Sequence, residues 1–319
     1  MDLPDAQDTA GSRPVWTPPA EGAPRARVRL LGDAIAFACP GMQNTTVRHS
    51  ATVLCATGEQ PLRVVCDGQV VQGQVLLIRP MARKTIHAVG QPLVLIDLEP
   101  THPQYRRFHA VSAPGAQALD ASNCAALLGM AQAFGAGQLG GRDLDASARH
   151  AIDSLVSRLL PAPAPLDARV RRLMSLLDED PSAELDQMAR QLDLSPHHAS
   201  RLFGQGLGLP LRRYALSVKI RAAASFMGSG LALTAVAQAA GFVDSAHFSK
   251  VWVQCYGASP SHFFHAGDLH IDAADQPDWL LWYLARRDRD LPPPRSDAQT
   301  PWVHRRSAQG GRPRAHRSG

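Results

Sequence analysis

The sequence has few cysteines and no pattern that links them. Its five cysteines among 319 residues are widely spaced and form no Cys-x-x-Cys pair, which excludes a disulfide framework and a zinc ribbon. No apolar run approaches the roughly 18 residues of a membrane-spanning helix. The N-terminus also lacks the basic start and apolar run of a secretory signal. We therefore expect a cytoplasmic protein with reduced, mostly buried thiols.

Catalytic and metal-binding motifs are lacking as well. The chain has no Gly-x-Ser-x-Gly nucleophile elbow and no phosphate-binding loop. Its histidines never occur as His-x-His, and His49 and His87 alone cannot complete a usual metal site. For His87 three interpretations stay open: a structural histidine, part of a pocket wall, or a metal ligand. We predict no cofactor and no enzymatic activity.

The charge is positive but unevenly distributed. A net charge of +5 and an isoelectric point near 9.2 permit a nucleic-acid partner without proving one. Residues 166–265 hold ten Lys or Arg against eight Asp or Glu, whereas residues 298–319 hold five Arg and no acid. The Arg-rich tail therefore carries much of the excess charge.

Segments of different character follow one another along the chain. Residues 1–27, rich in Pro, Ala and acidic side chains, are predicted to be disordered. Short β-prone runs with turn signals such as Asp67-Gly68 follow, and they indicate a small barrel or double-sheet roll. Residues 121–160 show the apolar spacing of two helices, which either pack in a dimer or only cover the barrel. Residues 161–165 alternate Pro and Ala, which is typical of a semi-rigid linker.

The most informative stretch, residues 184–264, contains one pattern twice. Each copy has a short apolar helix, a tight turn and a second helix that opens on Ser or Asp-Ser, as in a helix-turn-helix. Gly241 suits the sharp reversal of the second copy, where Ser245 or Asp244 caps the next helix. Ser195-Pro196 starts the corresponding helix of the first copy. With a long helix predicted over 211–227 between them, the two copies favour a DNA-reading module over an ordinary helical bundle with solvated polar residues.

Helical spacing gives the second helix of each copy an inward face and an outward face. The predicted inward residues are Ala199, Leu202, Phe203, Phe248, Val251 and Trp252. The predicted DNA-contacting residues are His197, Ser200, Arg201, Ser245, Ala246, Ser249 and Lys250. Arg201 and Lys250 are the best candidates for base or phosphate contact, because an arginine binds guanine through two hydrogen bonds.

Residues 166–264 closely resemble the C-terminal domain of AraC/XylS-type transcription regulators. The resemblance is carried by Ala189, Leu194-Ser195-Pro196, Arg201, Phe203, Gly208, Tyr214, Lys219-Ile220-Arg221-Ala222, Val236-Ala237, Gly241-Phe242, His247-Phe248-Ser249-Lys250, Gly257 and Ser259-Pro260. It implies seven helices in which one helix bridges two helix-turn-helix units that enter successive major grooves. It also implies double-stranded promoter DNA and RNA polymerase as partners.

The strands from Val28 to Pro100 resemble the cupin-like sensor domain of many such regulators, through Gly73–Pro80 and the following His87. This resemblance implies a barrel that encloses a small-molecule effector or has lost that role, and a possible homodimer. The expected fold class is α+β with two domains. A cupin-like roll with helices occupies 28–160, an all-α double helix-turn-helix domain occupies 166–265, and residues 266–319 form an irregular basic tail.

The sequence departs from the family after each recognition helix. Gly204-Gln205 and Val253-Gln254 stand where members usually carry Lys or Arg, which predicts fewer phosphate contacts and weaker nonspecific affinity. Gly204, Gly206 and Gly208 also predict a weak end of the first recognition helix. Two alternatives stay open: a cupin-type metal enzyme with a helical appendage, and an interaction module that has lost DNA binding.

Overall fold

The computed structural model describes residues 15–16, 26–181, 183–264 and 269–272. Its strands are β1 (Val15–Trp16), β2 (Ala26–Leu30), β3 (Ala34–Cys39), β4 (Met42–Val47), β5 (Ala51–Ala56), β6 (Leu62–Cys66), β7 (Gln69–Gly73), β8 (Val75–Ile78), β9 (Arg83–Ala88), β10 (Leu93–Leu98), β11 (Ala116–Leu119) and β12 (Leu269–Asp272). Its helices are α1 (Ala125–Gly135), α2 (Gly141–Leu159), α3 (Ala168–Glu179), α4 (Leu185–Arg190), α5 (Pro196–Leu207), α6 (Leu211–Ala224), α7 (Leu233–Ala239), α8 (Ser245–Tyr256) and α9 (Pro260–Phe264). Short 3-10 helices span Tyr105–Ala110 and Ala121–Cys124. None of these helices combines the length and the apolar character that a membrane span requires.

Two sheets form the N-terminal part of the molecule. One has the strand order β1-β4-β9-β6-β7, and the other has the order β11-β8-β5-β10-β3-β2-β12. The predicted turn Asp67-Gly68 joins β6 to β7, and both of its residues have positive φ (45° and 84°), as a tight hairpin turn requires. The predicted sheet-rich roll is therefore confirmed.

The larger sheet is buried on both faces, which explains its continuous apolar strands. On β3, Ile35 and Phe37 point into the space between the sheets, whereas Ala34, Ala36 and Ala38 lie on the face that carries the helices. Small alanines on that face let α1 lie close to β3 and β10. Burial on both faces removes the apolar–polar alternation that marks a half-exposed strand.

The helix pair α1–α2 covers this sheet. The apolar residues of α2, such as Leu144, Ile152 and Leu155, are buried, while Arg149 and His150 on its other side are exposed. The two helices therefore cover the barrel, which both alternatives allow. Dimerisation through the same helices stays a prediction.

The C-terminal part contains seven helices, α3 to α9, among its described residues 168–264. Helix α6 lies between the α4–α5 pair and the α7–α8 pair and contacts both α5 and α7. This is the bridged arrangement that the family resemblance implies, and the predicted α+β fold class is confirmed. Helix α6 ends at Ala224 rather than at Met227, because the chain turns over residues 225–228 and Gly228 has a φ of 77°.

Regular structure also occurs where the sequence predicts none. The backbone of Val15–Trp16 pairs with β4, and Ala26 and Arg27 already belong to β2, so the expectation of disorder through residue 27 is wrong at these positions. In the predicted irregular tail, β12 pairs in parallel with β2. Such pairing with strands far away in sequence leaves no local signal in four-residue segments. The Arg-rich stretch 298–319 lies outside the described residues.

The turn of each helix-turn-helix places one residue in the left-handed region: Asp193 (φ 53°) in the first and Gly241 (φ 78°) in the second. We predict that Asp193→Gly raises the free energy of unfolding by up to about 1 kcal/mol. The left-handed conformation costs most residues about 1–2 kcal/mol and aspartate less, because its short polar side chain can hydrogen-bond locally, so the gain over the extra backbone entropy that glycine loses is small. Gly241→Ala should destabilise the protein by a similar amount. Urea denaturation of both variants tests this prediction, which is wrong if Asp193→Gly is the less stable form.

Candidate nucleic-acid interface

Helices α4 and α5 form the first helix-turn-helix unit. Met188 and Ala189 of α4 are buried, and the chain reverses at Asp193 before α5 begins. The Ser195 hydroxyl oxygen accepts a hydrogen bond from the backbone N–H of His198 at 3.2 Å. This N-cap and the following Pro196 start α5 as the sequence predicts.

Helices α7 and α8 form the second unit. Phe242 follows the left-handed Gly241 and is buried, with its ring centroid 5.3 Å from that of Phe248. Of the two predicted caps the structure uses Asp244, whose carboxylate accepts a hydrogen bond from the backbone N–H of His247 at 2.6 Å. The aromatic contact and the cap fix where α8 begins.

The structure places the predicted contact residues on the N-terminal halves of α5 and α8. The exposed ones are His197, Ser200, Arg201, Ala246 and Lys250, and the half-buried ones are Ser245 and Ser249. The predicted inward residues are buried, except Leu202, which is half-buried. The two faces are thus separated as the helical spacing predicts, and contact with DNA stays a prediction for all seven residues.

The C-terminal ends of the same helices pack against the roll. Helix α5 ends on Gly208 (φ 74°) and α8 on Gly257 (φ 73°), both in the left-handed region. A β-carbon on Gly208 would lie 2.3 Å from Nε2 of His109, and one on Gly257 would lie 2.8 Å from the side chain of Asn44. Only glycine satisfies both the backbone conformation and the close approach.

Hydrogen bonds hold both ends in place. A ring nitrogen of His109 lies 3.0 Å from the carbonyl oxygen of Leu207, at the end of α5. The Asn44 side-chain amide donates to the carbonyl oxygen of Tyr256, at the end of α8, at 3.3 Å. Each recognition helix is therefore attached to the N-terminal part at one end and exposed at the other.

The glycines of α5 have structural roles that propensity alone does not reveal. Helix α5 runs through Gly204 and Gly206 for 12 residues, the same length as α8. A β-carbon on Gly206 would lie 3.0 Å from Val170, so the missing side chain lets α3 approach α5. We expected the end of α5 to be weak, but the helix is not shortened there. Packing against α3 and the Gly208 cap stabilise this end.

Buried charged residues occupy the junction between the roll and the helices. Arg48 forms an ion pair with Asp97, which also accepts a hydrogen bond from the Thr52 hydroxyl at 2.6 Å. The Lys84 ammonium donates to the same hydroxyl oxygen at 3.2 Å. Burial, with a contribution from the nearby Arg48 guanidinium, holds the pKa of Lys84 well below its ordinary value. Arg48 also lies over the ring of Tyr256, with its Cζ 5.2 Å from the ring centroid.

A second set of polar contacts ties α6 to the same junction. Arg221 donates to Asp178 at 3.0 Å and to the Thr101 hydroxyl at 2.9 Å. Burial raises the pKa of Glu99 to about 7, although the positive charges of Arg221 and Arg48 oppose the shift. Burial, assisted by the positive charge of Arg213, lowers the pKa of His49 to about 4. At neutral pH His49 is therefore uncharged and Glu99 is partly protonated.

Two adjoining cavities lie within this junction. A small polar cavity of about 10 Å³ is lined by Arg48, His49, Ser50, Asp97, Glu99, Ser217, Ile220, Cys255 and Tyr256. A mainly apolar cavity of about 20 Å³ is lined by Val28, Ile35, Phe37, Arg48, Leu95, Asp97, Met227, Trp252, Tyr256 and Phe263. Among the described residues, neither Trp252 Nε1 nor Arg48 Nε has a hydrogen-bond partner, although both atoms are buried. Both residues line the second cavity.

Sequence reasoning missed this junction apart from its mention of His49. The available signal was the presence of charged residues within apolar strands, as in Arg48 after β4 and Asp97 within β10. His87 lies outside the junction on β9, where partial burial lowers its pKa. In the part of the chain that the structure describes, no three His, Cys, Asp or Glu residues are grouped to hold a metal ion.

Comparisons with known proteins agree with this geometry. Residues 188–266 match the family model of a helix-turn-helix domain. The chain is 30% identical over 141 residues to the arabinose operon regulatory protein of Escherichia coli (strain K12), and 29% identical over 141 residues to that of Salmonella typhimurium. These alignments cover 41% of this chain, and the chain spans about half the length of both relatives (48% and 50%). The predicted resemblance to AraC/XylS-type regulators is therefore confirmed, and the matches point to DNA-binding regulators.

Solved structures with similarity include ToxT from Vibrio cholerae O395, with a TM-score of 0.48 and 12% identity over 75% of this chain and 95% of that chain. Another is the C-terminal domain of AraT, a response regulator from Geobacillus stearothermophilus. Its TM-score is 0.30, with 23% identity over 31% of this chain and 86% of that chain.

The shifted pKa values at the junction predict opposing effects of pH on stability. Folded Glu99 keeps its proton up to about pH 7, so its contribution to stability decreases as pH rises from 4.5 to 7. Folded His49 stays neutral down to about pH 4, so its contribution increases as pH rises from 4 to 6.5. Glu99→Gln removes only the first effect, whose size is at most about 3 kcal/mol.

Urea denaturation between pH 5 and 8 measures this difference. The unfolding free energy of Glu99→Gln should rise more steeply between pH 5 and 7 than that of the wild type. Glu59→Gln, at an exposed position, is the matched control and should follow the wild type. Parallel curves for Glu99→Gln and wild type would contradict the raised pKa.

Proposed function

We propose that the protein is a sequence-specific DNA-binding transcription regulator whose helices α5 and α8 read a promoter site. The supporting observation is that two capped helix-turn-helix units expose polar and basic residues on the N-terminal halves of these helices. Recognition helices contact base edges with their N-terminal residues in the major groove. The match of residues 188–266 to a helix-turn-helix domain supports the same assignment.

The bridging helix supports reading by both units. Helix α6 has 14 residues and is therefore about 21 Å long. One turn of B-DNA separates successive major grooves by about 34 Å, and we propose that the bridge and the helices on either side of it together match this distance. The proposal assigns 166–265 to DNA binding and 28–160 to sensing and dimerisation. RNA polymerase is the proposed partner at the promoter.

Arg201 is the strongest candidate for base reading, because it is exposed one turn into α5. We predict that Arg201→Ala weakens binding to a selected site by about 1–3 kcal/mol, the contribution of a bidentate contact with guanine. Its effect on random DNA should be smaller. The site is selected from a random library with the purified full chain, and affinities are measured by gel shift.

Arg63→Ala is the matched control, because Arg63 is an exposed arginine on β6 of the roll and its loss changes the net charge equally. It should leave both affinities close to wild type. Equal loss on selected and random DNA by Arg201→Ala would make Arg201 a phosphate contact. Failure of the wild type to select any sequence would instead favour an interaction module without DNA binding.

We further propose that the apolar cavity beside α8, which has room for about one water molecule, widens to bind a small effector. Its lining is mainly aliphatic and aromatic, and it lies between β2, β3 and β10 of the roll and Trp252 of α8. The Arg48 charge is already neutralised by Asp97, so the cavity has no uncompensated positive charge for a carboxylate. The unpartnered Trp252 Nε1 suits an uncharged hydrogen-bond acceptor. The expected effector class is therefore a small, apolar, neutral molecule with a carbonyl or ether oxygen.

Trp252→Phe tests this effector class, because it keeps an aromatic side chain, although a smaller one, and removes the N–H donor. A panel of small ketones and esters should raise the melting temperature of the wild type more than hydrocarbons of the same shape. We predict that the variant binds ketones about fivefold more weakly, since one hydrogen bond contributes about 1 kcal/mol. Binding to hydrocarbons should change little. An equal loss for both classes would show that Trp252 contributes only its shape.

A further inference from the structure

The turn of the second helix-turn-helix unit is one residue longer than that of the first. In the first unit, N-cap Ser195 follows two residues after the left-handed Asp193. In the second unit, N-cap Asp244 follows three residues after the left-handed Gly241. Because Leu194 and Phe242 come directly after the two left-handed residues, the additional residue is Val243.

The side chain of Val243 contributes little to the packing of the protein. Its side chain is 88% exposed, more than the other large apolar residues that the described part of the chain exposes. An apolar residue near a helix start commonly packs onto the first turns of that helix. Here Phe242 fulfils that role against Phe248, so Val243 points into solvent.

The exposure of Val243 is informative because of where the residue lies. A single exposed apolar residue is ordinary on a protein surface, but this one immediately precedes the capped start of α8. Ala246 is exposed on the first turn of the same helix, and Lys250 is exposed one turn further. The start of α8 therefore exposes the apolar Val243 and Ala246 between the polar Asp244 and His247, with Lys250 one turn further.

The first unit exposes a different chemistry. The residues at the start of α5 are His197, Ser200 and Arg201, all of which form hydrogen bonds. In the major groove the apolar group on a base pair is the C5 methyl of thymine, whereas guanine and adenine offer hydrogen-bond acceptors. The two helices therefore suit different bases.

We propose that Val243 is a specificity-determining residue that packs against a thymine methyl, with Ala246 beside it on the same apolar surface. The proposal rests on the DNA-reading function argued above and adds that the half-site under α8 contains thymine at a defined position. Arg201 gives the half-site under α5 a guanine contact. The two half-sites therefore differ in base composition.

Replacing thymine by deoxyuridine tests the contact, because it removes only the methyl group. Each thymine of the selected site is replaced in turn, and the affinity of the full chain is measured by gel shift. One replacement in the half-site under α8 should weaken wild-type binding about fourfold, which corresponds to about 0.8 kcal/mol for one buried carbon. Val243→Ser should bind the thymine and uracil sites equally, and Val243→Ile should keep the preference.

Val70→Ser is the matched control, because Val70 is an exposed valine on β7 of the roll. It should retain the full wild-type response to uracil. Melting temperatures of the variants should match the wild type, because both valines are exposed. The proposal is overturned if the wild type binds its site specifically but no replacement of thymine by deoxyuridine weakens binding. It is also overturned if Val243→Ser responds to the replacement as the wild type does. Both results would leave the DNA-reading function intact. Failure of the wild type to select any site would overturn both.

Discussion

The arrangement of the molecule depends on two glycines in the left-handed conformation at the ends of the recognition helices. Because Gly208 and Gly257 carry no β-carbon, His109 and Asn44 of the roll approach the helix ends within contact distance. The C-terminal end of each helix thereby contacts the roll, and residues at its N-terminal end are exposed. The roll consequently sets the direction in which both reading surfaces face.

Charged residues contribute to this attachment through Arg221, which donates to Thr101, and through Arg48, which lies over the ring of Tyr256. The ion pair of Arg48 with Asp97 lies within the roll and adds little net stability, because removing both charges from water costs nearly as much free energy as their attraction returns. Removing one member of the pair would nevertheless lower the free energy of unfolding, because the other charge would stay buried without a partner. Displacing α6 or α8 from the roll would remove these contacts from buried polar groups and is therefore unfavourable.

The helix-turn-helix units could be predicted from the sequence because their determinants are local. Gly241, the Ser195-Pro196 start and the spacing of buried residues act within a few positions of one another. The junction could not be predicted, since Asn44 and Tyr256 are 212 residues apart in sequence. The strand β12 was missed for the same reason, because its partner β2 is remote. The sequence interpretation of the α5 glycines considered only their low helix propensity. Their role instead depends on contacts with α3 and His109.

The two units are attached to the roll in different ways, and this difference determines which of them a ligand reaches. The residues from recognition helices that line the cavities, Trp252, Cys255 and Tyr256, all belong to α8. The end of α5 instead meets His109, which lines neither cavity. A ligand shifts an equilibrium only through interactions that differ between two states. The proposed effector in the apolar cavity would therefore act first on α8, and its effect would reach α5 through the bridging helix α6.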